Sequence, residues 1–357
     1  MSEAISSSTR QLGHTDFDLV RVDADPVSNC PMRDCSAKLV NLVYGKQCDR
    51  DGNPMKKTKL WCPVHGIRLH SGTFVYWNGD ARVEDARLRN FIVKQDLVAE
   101  IALNKAESHR LGYEMSEDAL SWNVFVSLAV AGRLKDAGEW LAGRRLSGEP
   151  ELYLWGQPID AKPSERVIYE PLRRVRAALE SGIARFGTEP DIMLVVKGEM
   201  VICIEAKFGS GNPLAYDAEV KEGEKPTSRT DLFEQYRGKS RKASTKAAIH
   251  SESMAPALHS QLFRNIVFAS EMAEKDWHVV NLVRSTDPGT KDTERYSFAD
   301  PSVDVKSYLS PDSQSCFTYR TWEGLYASVI KDTPELAELG LYMRGKSAHY
   351  RPAFDLA

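Results

Sequence analysis

The sequence lacks the features of a membrane, secreted or fibrous protein. None of its 357 residues belongs to an apolar run near the ~18 residues that a membrane-spanning helix needs. The opening stretch MSEAISSSTRQLGHTD has neither the basic start nor the apolar core of a secretory signal peptide. Internal repeats and low-complexity blocks are also missing. We therefore expect a cytoplasmic globular protein in which residues 1–29 form a loose polar tail.

An excess of charge of either sign is absent as well. The chain has 47 Lys and Arg against 50 Asp and Glu, a formal net charge of -3. This excludes a protein that is basic overall but allows a local cationic groove. A hydrophobic fraction of 42% and a charged fraction of 27% are typical of a folded soluble protein. At about 150 residues per domain, the length predicts about two domains.

Cysteine is scarce, yet most of it is clustered. Cys30, Cys35, Cys48 and Cys62 are four of only six cysteines, and His65 follows Cys62 at a spacing found in zinc sites. We predict a structural Zn²⁺ site formed by Cys30, Cys35, Cys62 and His65, with Cys48 as an alternative ligand. A set of reduced, buried cysteines is the competing interpretation, which the polar, lysine-rich surroundings disfavour.

The segment that carries this cluster, taken as a zinc-ribbon-like module over 30–95, has its own charge balance. Residues 30–90 contain 11 Lys and Arg and six Asp and Glu, a formal charge of +5. Contact with nucleic acid would explain this excess, and a solvated basic face explains it equally well.

Apolar periodicity organises the rest of the chain. The pattern predicts a helix over 81–106 and a helical connection between the two domains at 96–115. The larger domain over 116–330 is predicted to begin with a helix whose N-cap is Ser116. A C-terminal extension covers 331–357. Strand pairs followed by a helix and another strand are typical of a mixed sheet flanked by helices, so the predicted fold class is α/β. The remaining predicted elements are strands at 66–77, 152–155, 191–196, 200–208, 278–284 and 316–322, and helices at 166–186, 231–249, 255–274 and 322–330.

One predicted hairpin carries the strongest chemical signal. Two apolar runs, DIMLVV and MVICIEAKF, are separated by Lys-Gly-Glu, which is typical of a hairpin. If the chain turns about Gly198, partners across the hairpin have numbers that sum to 396, and Asp191 lies opposite Glu205. Because alternate residues of a strand share a face, Lys207 projects on the same side as Glu205.

Two carboxylates on an apolar hairpin need a neutralising partner. Mg²⁺ prefers oxygen ligands and takes only one or two protein carboxylates. A lysine beside such a cation could orient or deprotonate an attacking water and stabilise charge on a phosphate. This combination hydrolyses phosphodiesters. The alternative is a surface ion pair between Glu205 and Lys207, which the apolar flanking sequence disfavours because it indicates a strand covered on both faces.

The pattern of Pro190-Asp191, thirteen further residues and Glu205-Ala206-Lys207 resembles the signature of the PD-(D/E)XK phosphodiesterase superfamily. The order of predicted elements over about residues 116–325 resembles the restriction-endonuclease-like αβββαβ core of that superfamily. The resemblance implies Asp191 and Glu205 as ligands of Mg²⁺ or Mn²⁺ and Lys207 as the catalytic lysine.

Many members of that superfamily add two further residues to the site. One is an acid from the leading helix, for which Glu117 and Asp118 are the candidates, with Glu117 preferred as a metal ligand. Both could instead serve the helix N-terminus, where acids are favoured. The other is a glutamine on the helix after the motif, and Gln235 occupies that place. The usual Gln-x-x-x-Tyr spacing is missing, since Tyr236 is adjacent.

The expected function is therefore that of a Mg²⁺-dependent nuclease, endonuclease or exonuclease, that acts on nucleic acid, with DNA as the first choice. Neither a membrane nor a small-molecule cofactor is expected as a partner, and a homodimer stays open. A basic run over 237–246 could neutralise backbone phosphates or simply face solvent. The alternatives are a non-catalytic nucleic-acid-binding or adaptor protein with a nuclease-like fold and a hydrolase of another phosphorylated substrate.

Overall fold

A computed structural model of the chain divides into two compact units. One unit comprises Met1–Asn123 together with Pro334–Ala357, and the other comprises Val124–Thr333. The last segment of the chain therefore groups with the N-terminal unit instead of standing apart as an extension, and the division falls later than the expected connection at 96–115. The described residues are 29–32, 35–48, 54–70, 73–76, 88–102, 108–160, 167–183, 187–215, 228–250, 258–285, 296–297 and 299–356.

The helices are mostly short, and none in the described residues combines the length and apolar character needed to cross a bilayer. They are α1 (Gln95–Ala102), α2 (Glu117–Val130), α3 (Leu134–Ala142), α4 (Glu170–Leu179), α5 (Arg229–Leu232), α6 (Ala243–Ala248), α7 (Ser260–Met272), α8 (Ser302–Ser307), α9 (Trp322–Leu325) and α10 (Ala337–Gly345). Short 3₁₀ helices occupy Ser108–Gly112, Pro311–Cys316 and Pro334–Leu336, and π-helical turns occupy Phe233–Gly238 and Tyr326–Ile330.

The first unit contains an antiparallel sheet of four strands in the order β1-β2-β3-β4. The single strand expected at 66–77 is in fact the hairpin of β3 and β4. The helix expected over 81–106 is, within the described residues, α1 alone, with one 3₁₀ turn before it at 88–90. The four strands are β1 (Val40–Cys48), β2 (Pro54–Cys62), β3 (Ile67–His70) and β4 (Thr73–Tyr76).

A buried charge pair fastens the C-terminal segment into this unit. The Lys346 ammonium lies 3.0 Å from a Glu114 carboxylate oxygen, and both residues are 1% exposed. Tyr76 and the Ser347 backbone N–H also donate to this carboxylate, and Lys346 donates to Asn90. Burial raises the pKa of Glu114, an effect that Lys346 opposes, and burial lowers the pKa of Lys346. Such a pair is tolerated because each charge is hydrogen bonded.

The second unit is built on a mixed sheet of six strands in the order β13-β11-β8-β7-β5-β6. Strands β5, β7 and β8 pair antiparallel in succession, and β8, β11 and β13 pair parallel. Helix α7 lies between β8 and β11 in the chain and packs on both strands. The predicted α/β class and the mixed sheet flanked by helices are confirmed. The six strands are β5 (Glu151–Leu154), β6 (Gln157–Pro158), β7 (Ile192–Val196), β8 (Met200–Ala206), β11 (Asp276–Val283) and β13 (Phe317–Thr321).

The remaining strands are short. Three of them form a separate small sheet in the order β10-β9-β12, and two form a C-terminal hairpin. They are β9 (Asn212–Ala215), β10 (Leu258–His259), β12 (Tyr296–Ser297), β14 (Ser347–Ala348) and β15 (Arg351–Pro352).

The hairpin of β7 and β8 has the predicted register. Partners run from Val196↔Met200 to Ile192↔Ile204, so every pair sums to 396. Gly198 occupies the turn with φ +71°, in the left-handed region that glycine tolerates. Every residue of both strands is buried, which confirms a hairpin covered on both faces.

One predicted helix begins where expected, and another is interrupted by side-chain hydrogen bonds to the backbone. Ser116 caps α2 as predicted, since its Oγ accepts from the Ala119 N–H at 3.2 Å. The helix expected over 231–249 is split into α5, a π-helical turn and α6. The split comes where the Lys242 N–H donates at 3.0 Å to Glu271 instead of to a helical carbonyl, and Ser240 donates to the same carboxylate.

Candidate functional site

Glu205 and Lys207 form a buried ion pair at the end of β8. The Lys207 Nζ lies 2.7 Å from Glu205 Oε1, and the two residues are 6% and 3% exposed. The contact confirms that both side chains project from the same side of the strand. The interpretation as a surface ion pair is wrong, because the pair is closed to solvent. A buried pair of this kind needs further hydrogen bonds to offset its desolvation.

One asparagine side chain supplies such a hydrogen bond, and two more lie next to the pair. Asn265 of α7 donates from Nδ2 to Glu205 Oε2 at 2.7 Å, so each oxygen of the carboxylate has its own partner. Asn281 of β11 lies opposite Glu205 in the parallel register. Asn212 of β9 donates from Nδ2 to the Asn281 Oδ1 at 2.9 Å. All three asparagines are buried. None of the three is predicted from the sequence, although a lone Asn within the apolar strand HVVNLV is a usable signal.

Asp191 comes directly before β7 and reaches the motif through the backbone. Its Oδ2 accepts from the Ala206 N–H at 3.0 Å, and Ala206 is the residue between Glu205 and Lys207. The last regular pair of the hairpin is Ile192↔Ile204, so Asp191 is the next position in the predicted register. The structure therefore brings Asp191 to the Glu205-Ala206-Lys207 segment.

A second buried network anchors the segment that leads to Asp191. Glu180, directly after α4, accepts from the backbone N–H and the hydroxyl of Thr188 and, at 2.7 Å, from the hydroxyl of Tyr236. Arg176 donates to the Thr188 carbonyl at 2.6 Å. Because Thr188 is only three residues before Asp191, these bonds restrict where the carboxylate of Asp191 can lie.

Gln235 forms hydrogen bonds near this second network and not with the carboxylate of Glu205. Its amide nitrogen donates to the Leu179 carbonyl at the end of α4, and its amide oxygen accepts from Lys239 at 2.7 Å. These contacts favour a positioning role over the catalytic one expected. Glu117 and Asp118 lie in the first turn of α2, within the N-terminal unit. Their choice as a metal ligand stays a prediction.

Part of the basic run over 237–246 is used to hold the fold. Arg237 donates to the Ile249 carbonyl at 2.7 Å. Lys242 donates to the Ala273 carbonyl at 2.5 Å, and it contacts the Ser270 carbonyl at 3.2 Å. Lys242 thereby supplies a cation at the C-terminal end of α7, where the helix dipole favours one. Burial lowers the pKa of Lys242.

The first unit holds a separate site in which the four predicted zinc ligands converge. The ligand atoms of Cys30, Cys35, Cys62 and His65 all lie within 4.8 Å of one another, so they could hold a metal ion. The Sγ atoms of Cys35 and Cys62 are 3.7 Å apart, and His65 Nδ1 is 3.4 Å from the Sγ atoms of Cys30 and Cys62. A tetrahedron with Zn–S of about 2.3 Å and Zn–N of about 2.0 Å has edges of roughly 3.5–3.8 Å.

Tight turns bring these ligands together. Cys62 ends β2, and the Gly66 N–H donates back to its carbonyl at 2.9 Å, with Gly66 at φ +57°. Arg89 donates at 2.9 Å to the His65 and Gly66 carbonyls, which fixes the turn that carries the imidazole. Burial, with a smaller contribution from the Arg89 charge, lowers the pKa of His65 and favours the neutral form that binds metals. Burial raises the pKa of the Cys30 thiol.

The position of Cys48 in the sheet keeps it away from this site. It ends β1 opposite Pro54, whereas Cys62 lies at the other end of β2. At about 3.3 Å per residue, the eight steps along β2 from Pro54 to Cys62 span roughly 26 Å. This separation disfavours Cys48 as the alternative ligand.

The two sites offer different donor sets. In the part of the chain that the structure describes, the Cys/His cluster is the one group of three or more His, Cys, Asp or Glu residues close enough to share an ion. Around Asp191 and Glu205, the described residues therefore bring no third His, Cys, Asp or Glu side chain close enough to share an ion. Comparison of the chain with protein-family models, with curated proteins and with solved structures gives no match. A functional assignment thus depends on the geometry of these sites.

Proposed function

We propose that this protein is a metal-dependent nuclease that hydrolyses phosphodiester bonds of DNA at Asp191, Glu205 and Lys207. The observation that carries the proposal is the buried Glu205–Lys207 pair at the end of a central strand, with Asp191 bonded to the backbone between them. A purely structural role gives little reason to bury two opposite charges and three asparagines in an apolar sheet, because such groups stabilise a fold weakly or not at all.

The order of elements gives further support. Helix α2 comes first in the sequence, the antiparallel strands β5, β7 and β8 follow, and α7 leads to the parallel strand β11. With α3, β6 and α4 treated as additions, this order resembles the αβββαβ core of the restriction-endonuclease-like fold and so supports the proposal. In open sheets with parallel strands, ligands bind beyond the carboxyl ends of the strands. Glu205 and Lys207 lie at that end of β8.

The donor set of the proposed site fits a hard divalent cation. Two carboxylates are the usual protein share of a Mg²⁺ site, and water and substrate phosphate complete the coordination. Asp191 and Glu205 would hold the ion, which supplies a Lewis acid at the phosphate when bound. Lys207 is bonded to one oxygen of Glu205. Binding of the cation to Glu205 would therefore replace the bond from Lys207. The ammonium of Lys207 would then lie beside the substrate.

The chain's own groups then have separate tasks. Lys207 would orient the attacking water and stabilise the negative charge that develops on the phosphate oxygens as the P–O bond to the leaving group breaks. Asn265 would keep Glu205 in a single orientation through its 2.7 Å bond to Oε2. Preorganised donors of this kind avoid reorganisation during the reaction.

We also propose that Cys30, Cys35, Cys62 and His65 bind Zn²⁺ as a structural site. Three thiolates and one imidazole form a closed set that leaves no position for a substrate, which is typical of structural zinc. The site would stabilise the small N-terminal unit.

The proposal is tested by incubating the purified protein with linear, circular, single-stranded and double-stranded DNA, and with RNA, in Mg²⁺ or Mn²⁺. We expect cleavage of DNA that falls at least about 100-fold in Glu205→Ala and Lys207→Ala, as for loss of a charge-stabilising group. Lys197→Ala, in the exposed turn of the same hairpin, is the matched control. Undiminished cleavage by both variants would remove the site. Tight, salt-dependent DNA binding without cleavage of any substrate would favour the non-catalytic binding protein instead.

A further inference from the structure

Arg264 is a buried cation that has no ion-pair or hydrogen-bond partner among the described residues. It lies in α7 and is 8% exposed. Among the described residues no carboxylate is within ion-pair distance of its guanidinium and no acceptor is hydrogen bonded to it. Its nitrogen atoms are not among the buried polar atoms that lack a partner. The guanidinium therefore keeps contact with solvent although the residue as a whole is more than nine-tenths enclosed.

Three other buried cations among the described residues have partners. Lys207 is bonded to Glu205, Lys346 is bonded to Glu114, and Arg89 donates to two backbone carbonyls. Burial of a charge without a partner is costly, so an unpaired cation needs another reason. The planar guanidinium offers parallel N–H donors that match the oxygens of a phosphate group.

The position of Arg264 connects it to the proposed catalytic residues. It is adjacent in α7 to Asn265, whose side chain holds Glu205. Arg264 and Phe268 are four residues apart and so share a helix face, and the Phe268 ring lies 6.1 Å from the ring of Tyr236. Burial raises the pKa of Tyr236, and the charge of Arg264 acts in the opposite direction.

Tyr236 in turn belongs to the network that anchors the approach to Asp191. Its hydroxyl donates to Glu180, which also holds Thr188. Arg264 is therefore adjacent to Asn265, which holds the proposed metal ligand Glu205. It also shares a helix face with Phe268, whose ring lies beside Tyr236 in the network that anchors the approach to Asp191. A phosphate that approaches Asp191 and Glu205 would meet a partly desolvated guanidinium in a region of low dielectric, where its attraction is stronger than in water.

We infer that Arg264 binds a backbone phosphate of the nucleic acid as it enters the site of Asp191, Glu205 and Lys207. The inference rests on the proposed function for its ligand, but it concerns binding and is tested without cleavage. Arg264 touches substrate in this role, whereas Asn265 acts only through Glu205.

The experiment compares the full-length wild-type protein with Arg264→Met and with Arg144→Met. Arg144 pairs at 2.8 Å with Asp276, which begins β11 at the opposite end of the sheet, so its variant removes the same charge away from the site. Binding of short fluorescein-labelled DNA, single-stranded and double-stranded, is measured in Ca²⁺ over a series of salt concentrations. Arg264→Met should weaken binding about 10-fold to 100-fold, as expected for loss of a charge-assisted hydrogen bond. The slope of log affinity against log salt should become shallower by about one.

Stability provides the second readout. Removal of an unpaired buried charge should leave the melting temperature of Arg264→Met at or above that of the wild type, whereas a structural arginine would lower it. Arg264→Lys keeps the charge but not the planar fork and should restore the salt slope with only part of the affinity. Wild-type affinity and salt slope in Arg264→Met would overturn the inference, and so would a lowered melting temperature with an unchanged slope.

The two proposals can fail separately. DNA binding that depends on Arg264 without any cleavage would retain the phosphate site and reject the nuclease. Cleavage that requires Glu205 and Lys207 but is insensitive to Arg264→Met would retain the nuclease and reject the phosphate site.

Discussion

The ammonium of Lys207 lies 2.7 Å from a carboxylate oxygen of Glu205, and neither side chain is more than 7% exposed. The pair balances the charge of Glu205. In the proposed function, a divalent cation at Glu205 would take over that task and release Lys207. This proposed exchange of one cation for another can be measured apart from catalysis.

Replacing Lys207 by Met should destabilise the metal-free protein by about 3–5 kcal/mol, because Glu205 is left charged and buried without its partner. Urea denaturation followed by tryptophan fluorescence measures the change. Added Mg²⁺ should recover more stability in this variant than in the wild type, since the ion restores a positive charge at Glu205. Lys197→Met, at an exposed position in the same hairpin, should change little. An equal Mg²⁺ effect in variant and wild type would argue against Glu205 as a ligand.

Replacing Asn265 by Leu should cost about 1–3 kcal/mol, because one oxygen of Glu205 loses its buried donor. The Mg²⁺ concentration for half-maximal cleavage should also rise, since Glu205 is no longer fixed in one orientation. Gln261→Leu, on the same helix, makes the same chemical change at a partly exposed position and serves as the control. Wild-type Mg²⁺ dependence in Asn265→Leu would show that this bond is only structural.

Elemental analysis of the purified protein should find about one Zn²⁺ per chain, because the cluster supplies one complete set of four ligands. Cys35→Ser and His65→Ala should each lose most of this metal and lower the melting temperature, whereas Cys316→Ser, outside the cluster, should retain it. Acidification should release the metal, because protons compete for the thiolates and the imidazole. Zinc near zero with normally titrating thiols in the wild type would refute the site.

Acid should destabilise the second unit through His278. Its Nε2 donates to the Thr318 hydroxyl at 3.0 Å, since that hydroxyl donates onward to the Leu141 carbonyl, and its Nδ1 is buried without a partner. Burial, assisted by the charges of Arg144 and Arg320, lowers the pKa of His278 from 6.5 to about 3. Between about pH 6.5 and pH 3, His278 is therefore protonated in the unfolded state and neutral in the folded state.

The stability due to neutral His278 is present above pH 6.5 and is lost progressively as the pH falls toward 3. The loss between pH 7 and pH 5 should be about 2 kcal/mol. His278→Gln should flatten this dependence in urea denaturation at each pH, while His250→Gln, at an exposed position, should not. Parallel pH profiles for His278→Gln and the wild type would contradict the assignment.

Local patterns made part of this structure predictable. The turn at Gly198 and two apolar runs of matching length determine the register of the β7–β8 hairpin. The Cys/His cluster was predictable because its ligands are paired over short spacings. Both cases depend on residues that lie near one another in the chain, where spacing translates directly into geometry.

Partners from distant parts of the chain could not be read in this way. Asn265 is 60 positions from the carboxylate it holds, and Lys346 is 256 positions from Asn90. No periodicity links such residues, because their meeting depends on the packing of whole elements. Gln235 was assigned to the site from its place after the motif, yet its contacts are with Leu179 and Lys239.

The discontinuous first unit has a consequence for the order of events during synthesis. Glu114 is buried against Lys346, and Thr73 accepts from the hydroxyl of Tyr350, whose ring packs in the same core as Cys62. A ribosome releases all of Val124–Thr333 before it releases these partners, and translation proceeds at about 5–20 residues per second. The second unit can therefore fold first on the nascent chain. The N-terminal sheet, although it is made earlier, completes its core last.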